Sequence, residues 1–128
     1  MTQRIFIVED DPAVSSLLTE ILARAGYEVT AVDSAFGLAA RVRDLQPAAI
    51  LLDLGLPFRP GVDLLSELKA DARTAQVPVI VLSGLTEILS EERRALAAAV
   101  LAKPFDMERL LDVLQQTCSS SARDPGAA

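Results

Sequence analysis

The chain has 128 residues, is 51% apolar and carries a formal net charge of −6. That length fits one domain with a single buried core, and the acidic balance argues against a nucleic-acid surface, which needs a basic patch. With no histidine and one cysteine, Cys118, it excludes imidazole general bases, Ser-His-Asp and Cys-His pairs, imidazole-ligated zinc and an internal disulfide.

Residues Met1–Arg4 show no signal-peptide pattern, and no apolar run is long enough to cross a bilayer, so the expected compartment is the cytoplasm. Ile5–Val8 reads as a buried strand that ends at Glu9-Asp10-Asp11. Asp11 is placed to cap a helix with Pro12 as its first residue. Val14, Leu17, Leu18, Ile21, Leu22 and Ala25 then recur at helical spacing, and Gly26 stops the helix. A weaker strand spans Glu28–Val32. Ser34 is the expected cap of a second helix carrying Phe36, Leu38, Ala39, Val42 and Leu45.

After Pro47, the run Ala48–Leu52 predicts a third strand stopping at Asp53, and Pro57, Pro60 and Gly61 mark a loop. Leu64, Leu65 and Leu68 lie on a third helix. Val77–Leu82 is a fourth strand stopping at Ser83, and 84–98 is expected to be helical despite a poor apolar period. Ala99–Ala102 predicts a fifth strand ending at Lys103-Pro104, and Asp106 caps a last helix with Met107, Leu110, Leu111, Val113 and Leu114. The domain is therefore expected over 1–118, with the Ser/Pro/Gly/Ala-rich stretch 119–128 as a flexible tail or the start of a linker. Strict alternation of strands and helices, with strands apolar on both faces, implies an α/β fold. It has a five-stranded parallel sheet, helices on each side and right-handed crossovers.

The polar residues fall at informative places. Glu9-Asp10, Asp53, Ser83 and Lys103 each stand at the C-terminal end of a different predicted strand, the edge at which open α/β sheets bind ligands. Two carboxylates about 4 Å apart repel by about 4 kcal/mol at an effective dielectric of about 20. Three in one pocket take up protons or bind a cation. An all-oxygen set suits a hard ion such as Mg²⁺ with phosphate oxygens beside it. Lys103 and Ser83 complement an incoming phosphoryl group, and a carboxylate in such a site can itself be the nucleophile.

The segments Ile7-Val8-Glu9-Asp10-Asp11-Pro12, Leu52-Asp53-Leu54-Gly55-Leu56-Pro57 with Gly61, Val81-Leu82-Ser83-Gly84 and Lys103-Pro104-Phe105 occur in this order. Together they resemble a response-regulator receiver domain of bacterial two-component signalling, over roughly residues 3–118. The resemblance implies a flavodoxin-like doubly wound (βα)5 fold with strand order 2-1-3-4-5. It also implies phosphorylation of Asp53 by a sensor histidine kinase or phosphotransfer protein. Asp10, Asp53 and the backbone carbonyl of Gly55 would hold Mg²⁺, with Glu9 acting through water. Lys103 would contact the phosphoryl group, Ser83 would be the switch hydroxyl, and the bond before Pro104 would be cis. Asp11 is read as a helix cap, not a ligand.

The chain departs from that pattern at Val100, where receivers carry an aromatic residue whose rotation reports phosphorylation, and at Leu96–Ala99, where a Gly-Ala-acidic stretch is usual. Hydroxyl–aromatic coupling therefore cannot operate in its usual form. Val100 is either a core valine or, beside Leu96, part of an exposed apolar patch. Gly55 and Leu85 offer no side chain to orient a hydrolytic water, which predicts a long-lived phosphoryl-aspartate. Glu91-Glu92-Arg93-Arg94 reads as a solvated helix face and Cys118 as a small core filler.

Two enzyme-like classes fit poorly. A haloacid-dehalogenase-like phosphatase needs a second acid two residues after its nucleophile, where this chain has Gly55. A nucleotide-binding α/β domain needs a glycine-rich turn after the first strand, and Glu9-Asp10-Asp11-Pro12 is acidic instead. The remaining alternative is a phosphorylation-independent interaction module on the same fold. The reading expects no enzyme beyond self-assisted phosphorylation and dephosphorylation, no direct nucleic-acid or membrane contact by this segment, and leaves homodimerisation open.

Overall fold

The computed structural model describes residues 3–33, 37–55, 61–72, 74–84, 91–103 and 106–122; for 61–63, 93 and 119–122 it describes the backbone alone. Five strands and five helices alternate along the chain: β1 (Arg4–Val8), α1 (Pro12–Arg24), β2 (Glu28–Val32), α2 (Leu38–Leu45) and β3 (Ala49–Asp53) come first. Next come α3 (Gly61–Ala70), β4 (Val79–Ser83), α4 (Glu91–Arg94), β5 (Ala99–Ala102) and α5 (Met107–Ala122). All strand pairs are parallel and the order is β2-β1-β3-β4-β5. This is the doubly wound architecture expected from the alternation.

Burial explains the order. β3 and β4 are buried at every residue and β1 at all but Arg4, whereas β2 and β5 are mixed and form the edges. Side-chain alternation splits the core into two layers. Phe6, Val8, Ile50, Leu52, Val79 and Val81 pack with Leu38 and Val42 of α2 and with Leu64, Leu65 and Leu68 of α3. Ile5, Ile7, Leu51, Ile80, Leu82 and Leu101 pack with Leu18 and Leu22 of α1 and with Leu110, Leu114 and Cys118 of α5. A fully buried leucine contributes about 1.5–3 kcal/mol, so helices with only two or three such residues are held to the sheet by these contacts. Leu17, at the margin of the α1 stripe, stays 49% exposed.

The helix ends follow local chemistry. The Asp11 carboxylate accepts from the amides of Ala13 and Val14 at 2.9 and 3.4 Å, which caps α1 as expected. Past α1, Gly26 has φ +99°, a left-handed conformation that favours glycine. Asp106 caps α5 through the Glu108 amide at 3.0 Å. α2 differs from expectation: it starts at Leu38, with Gly37 in the N-cap position and no side-chain cap. Ser34 and Phe36 lie outside the described residues.

Two helix lengths also differ. Of the expected helix over 84–98, the described residues show α4 at Glu91–Arg94 followed by turns and bends over 95–98, and residues 85–90 lie outside the described residues. Leu96 and Ala97 point their limited apolar surface at the Phe6 layer instead of supplying a stripe long enough to hold a helix. α5 continues to Ala122, four residues past Cys118, because adding turns to an anchored helix costs less than starting one. Pro57, Pro60, Leu85, Pro104, Phe105 and residues 123–128 lie outside the described residues.

Candidate functional site

Three backbone bonds just past the strand ends set the site. The Glu9 amide donates to Val32 O at 3.0 Å, the Leu54 amide to Leu82 O at 3.0 Å, and the Lys103 amide to Ser83 O at 2.7 Å. Each continues a ladder one step beyond its strand, so the side chains at that edge are fixed by the sheet itself.

Glu9, Asp10 and Asp53 come together there, each offering a carboxylate oxygen within 4.8 Å of the others. Glu9 is 2% exposed and Asp53 3%, while Asp10 faces solvent. Lys103 Nζ lies 3.1 Å from Asp53 Oδ1 and 3.7 Å from Glu9 Oε1. The Gly55 amide donates to Asp53 Oδ1 at 3.0 Å. Ser83 is buried at the neighbouring strand end, with its hydroxyl donating to the Gly84 carbonyl at 3.1 Å. The six residues picked from the sequence thus share one edge. Four of them, Glu9, Asp10, Asp53 and Lys103, make a single charged cluster, and Gly55 touches it through its amide.

Electrostatics divide the two buried acids. Burial, together with a proton shared with Asp53 and the Asp53 charge, raises the Glu9 carboxyl from 4.5 to about 7. Burial also pushes Asp53 up. The hydrogen bonds it accepts from protonated Glu9, the Gly55 amide and Lys103, with the Lys103 charge, outweigh burial and hold Asp53 below 3.8. When both acids are ionised neither can donate to the other, and Glu9 Oε1 is then buried without a hydrogen-bond partner among the described residues. An orphaned, buried carboxylate oxygen beside two more carboxylates fits a hard divalent cation, whose ligands are all oxygens.

A family model described as the response regulator receiver domain matches residues 5–115. The chain belongs to the response regulator receiver family. This receiver domain is 41% identical over 128 residues to a DNA-binding dual master transcriptional regulator, RpaA, of Synechocystis, covering 98% of this chain and 53% of that protein. It therefore spans about half the length of that relative. Among solved structures it is similar to the receiver domain of the sensor histidine kinase PA1611 of Pseudomonas aeruginosa, with a TM-score of 0.80, 30% identity and 94% and 100% of the two chains covered. That structure has a magnesium ion coordinated in its active-site cleft. A CheY-like response regulator receiver domain from Methylobacillus flagellatus superposes with a TM-score of 0.82 at 27% identity, covering 91% and 99%.

Val100, left open between core and surface by the sequence, is half-buried and packs with Leu96 and Ala97 on the Phe6 layer, in register with Val81. No described helix is long and apolar enough to cross a membrane. The sequence reading passed over Arg41. Its guanidinium lies 5.7 Å from the centre of the Phe6 ring and it lines a groove shared with Glu9 and Asp10. An arginine on an amphipathic helix carries no sequence signal for such a placement.

Proposed function

We propose that this receiver domain is a phosphorylation-dependent switch that accepts a phosphoryl group on Asp53 from a histidine kinase, a phosphotransfer protein or a small phosphodonor. The observation that carries the reading is the 3.1 Å approach of Lys103 Nζ to Asp53 Oδ1 inside the Glu9–Asp10–Asp53 cluster. Against the opposing effect of burial, the hydrogen bonds from Glu9, the Gly55 amide and Lys103 keep Asp53 ionised, as a nucleophile must be. Asp10, Asp53 and the Gly55 carbonyl would hold Mg²⁺, with Glu9 acting through water, and the ion would supply charge neutralisation for the transferring group.

The Asp53 carboxylate attacks phosphorus in line with the leaving group. Lys103 moves from the carboxylate to the arriving phosphoryl oxygens, and the Gly55 amide keeps the nucleophile oriented. The added charge of about −1.5 to −2 then favours a conformer in which the Ser83 hydroxyl leaves the Gly84 carbonyl for a phosphoryl oxygen. With a half-buried Val100 packed against the Phe6 layer in place of an aromatic, the signal leaves through the loop after β4. Gly55 orients no water, so the phosphoryl group is long-lived. We place the domain in the cytoplasm, with residues past α5 leading toward an effector, as the greater length of its relative suggests.

Intact-mass spectrometry with acetyl phosphate and Mg²⁺ tests this. One added phosphoryl group is expected, decaying over longer than a few minutes, and absent in Asp53→Asn or without Mg²⁺. A folded, Mg²⁺-binding protein that takes up no phosphoryl group from either acetyl phosphate or phosphohistidine partners would support the phosphorylation-independent module, which the packed Val100 also favours.

A further inference from the structure

Away from the acidic cluster, near the end of α3, stands Lys69, a half-buried amine that the chemistry at Asp53 does not use. Its Nζ donates to the backbone carbonyls of Ala75 at 3.0 Å and Val77 at 2.7 Å, across the turn that leads into β4. Thr74, 1% exposed, fastens the same turn by donating to Leu68 O at 2.6 Å, so the two carbonyls are held where Lys69 meets them. No carboxylate pairs with Lys69 among the described residues.

An amine needs its lone pair to act as a nucleophile, and the two lysines of the chain differ in what losing a proton costs them. Lys103 Nζ stands 3.1 Å from Asp53 and 3.7 Å from Glu9, a setting that favours the ammonium. Lys69 faces two acceptors and no anion. A neutral amine keeps two N–H donors, enough for both carbonyls, and the fourth position on its nitrogen is then the lone pair. Deprotonation therefore breaks neither hydrogen bond. Burial works in the same direction and lowers the Lys69 ammonium from its usual value. Lysines that act as nucleophiles are typically desolvated in this way.

We propose that Lys69 is an acylation site, taking an activated acyl group from an acyl phosphate or an acyl thioester. In the step, the Nζ lone pair forms a bond to the acyl carbon. The bond from that carbon to oxygen or sulfur breaks, its electron pair leaves on phosphate or thiolate, and the amine proton goes to solvent. The product amide has one N–H for two carbonyls, so either Ala75 O or Val77 O loses its donor and the connection into β4 is loosened. The site does not depend on the phosphoacceptor reading of Asp53. An acyl phosphate attacked at carbon by Lys69 leaves an acyl group on the protein, whereas attack at phosphorus by Asp53 leaves a phosphoryl group, and mass distinguishes the two.

Peptide-level mass spectrometry of the full chain after short incubations with acetyl phosphate or, separately, acetyl-coenzyme A tests this. Acetylation at Lys69 is expected to be about tenfold faster than at Lys103, the ratio that about one unit of difference in proton affinity produces. In urea sufficient to unfold the chain, the two lysines should react alike. The pH at which Lys69 labelling reaches half its plateau should lie lower in the folded protein than in urea. Asp53→Asn should leave the Lys69 rate unchanged. Labelling of Lys69 by either donor with this selectivity supports the proposal and shows which donor reaches the amine. No label on Lys69 from either donor would overturn it. So would Lys103 reacting as fast as Lys69 in the folded protein, a preference for Lys69 that persists in urea, or equal pH midpoints in the two states.

Discussion

The chain has two lysines, and they stand at opposite ends of the sheet. Lys103 follows β5 at the carboxyl edge, beside Asp53 and Glu9. Lys69, near the end of α3, donates to the backbone carbonyls of Ala75 and Val77 at 3.0 and 2.7 Å, where the chain enters β4. Thr74, 1% exposed, closes the same turn by donating to Leu68 O at 2.6 Å. The partners differ in kind. Carboxylates can take a proton, a metal or a phosphoryl group, so the Lys103 end can change state. Backbone carbonyls take up neither a proton nor a phosphoryl group, so the Lys69 end holds the α3–β4 connection closed, even though burial lowers the Lys69 ammonium from its usual value. One side-chain type faces titratable carboxylates at one edge and backbone carbonyls at the other, and the difference in what it can do is set by what it faces.

Exchanging each lysine for methionine breaks that comparison where it is strongest. Lys103→Met should slow phosphorylation by acetyl phosphate by about a hundredfold, the scale for one charged donor at a transition state. A rate within a few-fold of wild type would remove Lys103 from the mechanism. Lys69→Met should do the reverse. It leaves two carbonyls without their donor and should cost about 1–3 kcal/mol in urea unfolding, with phosphorylation and Mg²⁺ affinity unchanged. A stable variant, or one with impaired phosphorylation, would show that the two ends are not independent.

The smallest effect sharpens the contrast through pH. With metal removed by EDTA, the folded protein keeps a proton on Glu9 that the unfolded chain releases, because its carboxyl is raised from 4.5 to about 7. The Glu9 contribution to stability is therefore complete below about pH 4.5, declines as pH rises and is gone above about 7. Asp53 has the opposite sign: its contribution is present above 3.8 and is lost as pH falls through its lowered folded value. Urea midpoints of the metal-free protein should fall between pH 4.5 and 7, and Glu9→Gln should flatten that slope. Mg²⁺ affinity should rise over the same window, since ion and proton compete for one oxygen set. A midpoint flat with pH in wild type would mean that Glu9 and Asp53 share no proton.

Much of this was legible before any coordinates. Apolar runs ending in polar residues placed all five strands within two residues of where they form. The caps at Asp11 and Asp106 were readable because capping is a contact within three residues of sequence. Where the sequence misled, the cause was packing. The helix expected to run to 98 stops at Arg94, with Leu96 and Ala97 drawn onto the Phe6 layer, and α5 ran on to Ala122 from a turn anchored by buried Cys118.

By itself the sequence determined the class of fold, the edge on which the chemistry gathers and the residues that gather there, because hydrophobic period and strand ends are local properties. Only the tertiary structure decided that Glu9 and Asp53 sit close enough to split their proton affinities and that Val100 is packed rather than exposed. It also decided that Arg41 lies over Phe6 and lines the groove of Asp10. Each of these depends on distances between residues far apart in the chain, and such distances are set by how helices dock on a sheet, not by any spacing written along one segment.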